Sequence, residues 1–229
     1  QNRAGVNFII NQGDRAKIQS FRISGVKKFN EDHLIKLFKI GEPDIAIINY
    51  FTNKDLFTEA EFAAGINTLT DKYYNSGFLD FKIENIFTEL NDNKEKITIE
   101  IQVSEGIQYK LGSVTFNGDY GPIDLKDLEQ TVNLKKGEVF NRNSIIMSIQ
   151  NLTDLFADNG YAYVDINPET SELIDIVDIN FIISLNKKTY INRITISGNT
   201  RTQDEVIRRE IGVIEGGLYS RSVLRKSLL

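Results

Sequence analysis

The 229-residue chain contains no cysteine, no tryptophan, one histidine, one methionine and three prolines. Without cysteine there is no disulfide framework, no thiolate metal site and no thiol nucleophile. The single imidazole, His33, has no partner spaced to share a metal or relay a proton, and reads as a helix-face residue. No run of about 18 apolar residues occurs, which excludes a helix spanning a bilayer. Positive charge is also short: the net charge of −5 disfavours nucleic acid as the main partner, because such proteins carry a basic face. Hydrophobic content of 41% and charged content of 26% are ordinary for a globular chain and argue against wholesale disorder.

What the chain has is repetition. Val6–Gly25, Ile99–Gly118 and Ile179–Gly198 align as three twenty-residue blocks. Positions 1, 3 and 5 are apolar in all three, as are positions 16 and 18 (Phe21/Ile23, Val114/Phe116, Ile194/Ile196). Position 8 is Gly13, Gly106 or Asn186, residue types that tolerate a positive φ. Each block predicts strand, tight turn, strand, and the three turns would join successive modules.

Between the first two blocks lies one complete unit. Strand Lys17–Ser24 stops at Gly25, and a short helix is expected over Asn30–Phe38 with Asn30 as N-cap. A longer helix is expected over Thr58–Asn75, with a Thr58-x-x-Glu61 capping box and Phe62, Ile66, Leu69 and Tyr73 on one face. Gly77 ends it, and strands come next at Phe81–Leu90 and through Ile97, Ile99, Ile101 and Val103. Clean alternation in that last strand implies a sheet with one dry face and helices packed on it. The second unit repeats the order: Lys110–Asn117, helices at Asp124–Val132 and Arg142–Asn159, then strands at Tyr163–Asn167 and Ile174–Ser184. A third opens with a strand at Thr189–Ser197 and a helix at Thr202–Ile211. The fold expected is α/β (α+β): tandem two-layer β-α-α-β-β modules, each a three-stranded mixed sheet with two helices on one face. The chain reads as a slice of a longer tandem array.

Catalytic chemistry is not evident. Asp154 and Asp158, at i and i+4 on a helix, read as a solvated face, and Asp175 and Asp178 as the wet side of a strand. Gly118-Asp119-Tyr120-Gly121 matches a GxxG pattern but carries no basic residue for a phosphate. The basic pairs Lys27-Lys28, Lys135-Lys136, Lys187-Lys188 and Arg208-Arg209 read as surface charge. No cofactor and no enzymatic activity are expected.

Two features suggest binding instead. In Phe81–Leu90 the two-residue alternation of Phe81 and Ile83 slips at Glu84-Asn85 and resumes at Ile86, the trace a β-bulge leaves in sequence. Bulges concentrate on sheet edges, and Pro168 in the matching strand of the second unit also argues for an edge. Edge strands offer unpaired backbone groups to an incoming extended peptide. The second feature is the long connection from Gly41 to Phe57, whose Ile45, Ile47, Ile48, Tyr50 and Phe51 either fold back on the helices or dock a partner.

The tandem β-α-α-β-β order resembles POTRA domains. The turns Tyr73-Tyr74-Asn75-Ser76-Gly77-Phe78 and Phe156-Ala157-Asp158-Asn159-Gly160-Tyr161 also resemble those preceding the family's second strand. Arg193–Thr200 followed by Val206-Ile207-Arg208-Arg209-Glu210 resembles the opening of the barrel-proximal POTRA of the BamA family of outer-membrane assembly factors. The resemblance implies that residues 1–14 end a second POTRA, 15–105 form the third, 106–187 the fourth and 188–229 part of a fifth. It implies a periplasmic arm of an integral outer-membrane protein, attached to the membrane only through a C-terminal barrel not in this sequence. The partners it implies are unfolded outer-membrane β-barrel precursors and accessory lipoproteins. Clients would add to the edge strand (Phe81, Lys82, Ile83, Glu84, Asn85, Ile86, Phe87) by β-augmentation. Arg208 and Glu215 would face a BamD-like lipoprotein, although Gly216-Gly217 departs from the bulkier sequence expected there. The alternatives are the POTRA region of a substrate-specific outer-membrane secretion transporter, an inert spacer, and a KH-like RNA-binding tandem, which the acidic charge disfavours.

Overall fold

The computed structural model describes residues 17–38 and 58–227. The first strand expected of the Val6–Gly25 block, the turn at Gly13 and the apolar connection with Ile45, Ile47, Ile48, Tyr50 and Phe51 lie outside the described residues. The chain divides into two compact units: residues 1–74 with 78–107, and residues 75–77 with 108–229.

In unit 1, β1 (Lys17–Ser24) leads into a short helix α1 (Glu31–Ile35) continued by a 3₁₀ turn (Lys36–Phe38). The Asn30 side chain caps α1 by accepting the Asp32 N–H at 2.8 Å. Helix α2 (Glu59–Tyr74) starts on Thr58, whose Oγ1 accepts the Glu61 N–H at 3.3 Å. Strands β2 (Lys82–Leu90) and β3 (Lys96–Ser104) complete the unit. The sheet order is β1-β3-β2, with β1 parallel and β2 antiparallel to the central β3. β3 buries every second residue, Ile97, Ile99, Ile101 and Val103, on the face that meets Leu34, Phe38, Leu69 and Tyr73. Each such aliphatic side chain contributes roughly 1.5–3 kcal/mol by leaving water. Gly25 ends β1 at φ +89°, and a Cβ there would collide with the Val103 carbonyl. The first strand of the unit is therefore pressed against the third at a point only glycine fits.

Unit 2 repeats the plan with β4 (Lys110–Gly118), α3 (Leu125–Val132), α4 (Arg142–Asp158), β5 (Val164–Leu173) and β6 (Ile176–Leu185) in the order β4-β6-β5. Val177, Ile179, Phe181 and Ile183 are the dry face of β6, and Phe116 stacks on Phe181 at 5.6 Å. Gly118 reproduces Gly25, at φ +100° against the Ile183 carbonyl. β5 is longer than expected and carries Pro168 mid-strand, opposite Phe181. Proline is tolerated because β5 is an edge among the described residues, with no second strand there to need its missing N–H.

The expected strand over Thr189–Ser197 is not formed. Beyond a single bridge between Tyr190 and Leu218, this segment joins no sheet among the described residues. In units 1 and 2 the equivalent first strand is held by a parallel third strand, and no such strand follows Thr189–Ser197 among the described residues. Two helices do form, α5 (Asp204–Glu210) and α6 (Arg221–Lys226), and their apolar residues Val206 and Leu224 stay exposed.

Candidate functional site: an open sheet edge

Among the described residues β2 pairs with β3 and with no strand on its other side. Its register shifts between Ile83 and Asn85, so Ile83 opposes Val103 and Ile86 opposes Ile101. Partners across a ladder share a face, which places Ile83 and Ile86 together on the core side although they are three residues apart. The bulge at Glu84-Asn85 makes that possible; in a regular strand one of them would point away. Asn85 reaches the Gln102 side chain at 3.2 Å, and Ile86, Phe87 and Leu90 are exposed.

Phe81 differs from its sequence reading as an edge residue. It precedes β2, is buried, and stacks face to face on Tyr73 with ring centroids 4.0 Å apart. It anchors the start of the edge rather than lining it. Behind Tyr73 lies Glu105, a buried carboxylate missed in the sequence because no pattern marks it. It accepts the Tyr73 hydroxyl at 2.8 Å and the N–H groups of Lys27 and Lys28 at 2.9 and 3.0 Å. Burial raises the Glu105 carboxyl, but the two backbone N–H groups and the phenol outweigh it and hold the group below the usual carboxylate range. Burial, with the adjacent Glu105, pushes the Tyr73 phenol well above its ordinary value, so it stays protonated as donor. Gly106 comes next in the chain, at φ +70°. Asn186, at the equivalent place, does not take a positive φ; its side chain instead donates to the Tyr163 carbonyl at 2.9 Å.

The structure brings Arg208 and Glu215 together. Glu215 accepts the Arg208 guanidinium at 3.2 Å and the Ile194 N–H at 2.9 Å, while Arg208 also donates to the Ile194 carbonyl at 3.0 Å. The Ile194 N–H, then Arg208, draw the Glu215 carboxyl below its ordinary value. Both side chains remain substantially open to water, where such a pair contributes little stability but fixes geometry.

Asp154 and Asp158 correct their reading as a solvated face. Asp158 accepts the Ser220 hydroxyl and the Ser222 N–H, both at 2.8 Å, and Asp154 pairs with Arg221 at 2.7 Å. The end of α4 thus holds the start of α6, and the Gly160 carbonyl beside it accepts the Thr189 N–H at 2.8 Å. The same two contacts occur earlier in unit 2, where the Asn75 side chain accepts the Asn143 N–H and the Gly77 carbonyl accepts the Tyr109 N–H, both at 2.8 Å. Burial raises the Asp158 carboxyl, but the Ser222 N–H and the serine hydroxyls bring it below the ordinary range. No group of metal-ligating side chains, and no helix long and apolar enough to cross a membrane, is found among the described residues.

The family model of the POTRA domain, described as a surface antigen variable number repeat, matches residues 16–106, 109–184 and 189–229. The chain belongs to the POTRA family. It is 29% identical over 229 residues, 99% of its own length, to the outer membrane protein assembly factor BamA of Neisseria meningitidis serogroup B. It is 28% identical over its full length to BamA of Buchnera aphidicola. The chain spans 28% and 37% of the lengths of these relatives. The crystal structure of Haemophilus influenzae BamA POTRA3-5 superposes with a TM-score of 0.73 at 20% identity, covering 96% of this chain and 86% of that one. The expected two-layer POTRA fold is therefore the observed one.

Proposed function

We propose that this chain is the periplasmic POTRA arm of a BamA-like factor that assembles and inserts β-barrel proteins into the outer membrane. Residues 1–14 end its second POTRA, 15–105 form the third, 106–187 the fourth and 188–229 part of the fifth. The observation that carries the proposal is β2, a bulged edge strand whose outward side meets no strand among the described residues. An unfolded barrel precursor is a succession of alternating strands, and main-chain pairing to β2 holds any of them with little demand on side-chain identity. Weak, sequence-tolerant capture suits a factor with many clients. The Arg208–Glu215 pair and the connection at Ile45, Ile47, Ile48, Tyr50 and Phe51 offer docking places for accessory lipoproteins, with exposed charges setting orientation and on-rate. The arm works without catalysis or a cofactor.

Titrating the isotope-labelled chain with ten-residue peptides copied from barrel strands tests this. Amides of Lys82–Leu90 shift first and saturate together, for peptides of unrelated sequence. A chain whose β2 amides stay fixed while others move would exclude β2 as the client edge.

A further inference from the structure

The β5–β6 hairpin of unit 2 turns on two residues, Ile174 and Asp175, between the paired Leu173 and Ile176. Two-residue hairpins place a residue at positive φ, and glycine or asparagine usually fills it. Here Ile174 does, at φ +59°, where a β-branched side chain is a genuine outlier. Burial does not repay the strain: Ile174 is 84% exposed, with Leu173 beside it 69% exposed. The equivalent turn of unit 1 is polar, its Asn91 side chain accepting the N–H groups of Glu95 and Lys96 at 2.9 and 3.0 Å. An apolar tip is therefore not required by the fold, and strain held at an exposed aliphatic residue points to use.

Charge narrows the partner. Residues 164–185 carry five carboxylates, Asp165, Glu169, Glu172, Asp175 and Asp178, and no lysine or arginine. Lys110, paired with Ile176 at the base of the turn, and Lys136, which acts on Asp178, only partly offset this charge, and the acidic hairpin disfavours an anionic lipid surface. We propose that Leu173-Ile174 is a docking knob that inserts into a shallow aliphatic socket, rimmed by lysine or arginine, on a partner protein. The aliphatic tip supplies buried area, and Glu172 and Asp175 supply orientation.

The test places a photoreactive residue at Ser171 of the full-length protein in its native cells, with adducts mapped by mass spectrometry. One discrete protein adduct is expected, attached where aliphatic residues are flanked by lysine or arginine. Ile174→Asn and Asp175→Lys each lower its yield about fivefold or more. Ile174→Asn also leaves the thermal midpoint of the purified chain equal or raised, because asparagine relieves the turn. Failure to form a protein adduct, an adduct insensitive to both substitutions, or a lowered midpoint for Ile174→Asn would overturn the proposal. So would sedimentation of the chain with phosphatidylglycerol vesicles that Ile174→Asn abolishes, which would assign the tip to membrane.

Discussion

Glu105 shows what one buried carboxylate can do for an edge. Three donors converge on it from two places in unit 1, the Lys27-Lys28 backbone and Tyr73 of α2, and Tyr73 in turn carries the stacked ring of Phe81 at the root of β2. Replacing Glu105 by alanine leaves the buried Tyr73 hydroxyl and the half-buried Lys27 and Lys28 N–H groups without their acceptor and is expected to cost about 1–3 kcal/mol. Because the folded-state pKa of Glu105 lies below its unfolded value, the stabilisation is complete above the unfolded pKa and is lost as pH falls through the folded one. Urea denaturation of unit 1 across the carboxylate range checks this: wild type loses stability on acidification, and Glu105→Ala starts lower and loses less. Equal slopes for both proteins would remove Glu105 from the account.

At the scale of the element, the bulge decides the character of β2. Deleting Glu84 leaves Ile83 and Ile86 two residues apart, so both keep the same sheet face without any bulge. The deletion is expected to preserve folding within about 1 kcal/mol. It also straightens the edge, and a straight exposed edge pairs with copies of itself. Sedimentation should show the deletion variant associating at concentrations where wild type is monomeric; a strictly monomeric variant would mean the bulge does not protect the edge.

β2 was legible in the sequence because a two-residue period has no slack: an alternation that jumps between Ile83 and Ile86 leaves a visible slip. The caps at Asn30 and Thr58 were legible for a similar reason, being local. What escaped depends on distant partners. Asp158 at the end of a helix looks like any solvated carboxylate until α6 arrives beside it, and Glu105 sits in no periodic pattern at all. Thr189–Ser197 has a strand's alternation, yet alternation makes a strand only when a neighbour supplies the ladder.

For the whole molecule, the same module is built twice, and a pair of hydrogen bonds recurs with it. At both places in unit 2 a side chain near a helix end accepts an N–H from the start of a later helix, Asn75 from Asn143 and Asp158 from Ser222, beside a glycine carbonyl that accepts a further N–H. Tandem repetition of this kind multiplies open edges along one chain, and the proposed work of the arm depends on those edges staying unpaired until a client arrives. Amide hydrogen exchange tests this most directly. Without client, alternate amides of Lys82–Leu90 should exchange fast, with the alternation broken at Glu84-Asn85; saturating barrel-strand peptide should protect that fast set and leave the β3-paired set unchanged. Protection of every β2 amide in the free chain, or none gained with peptide, would contradict the account.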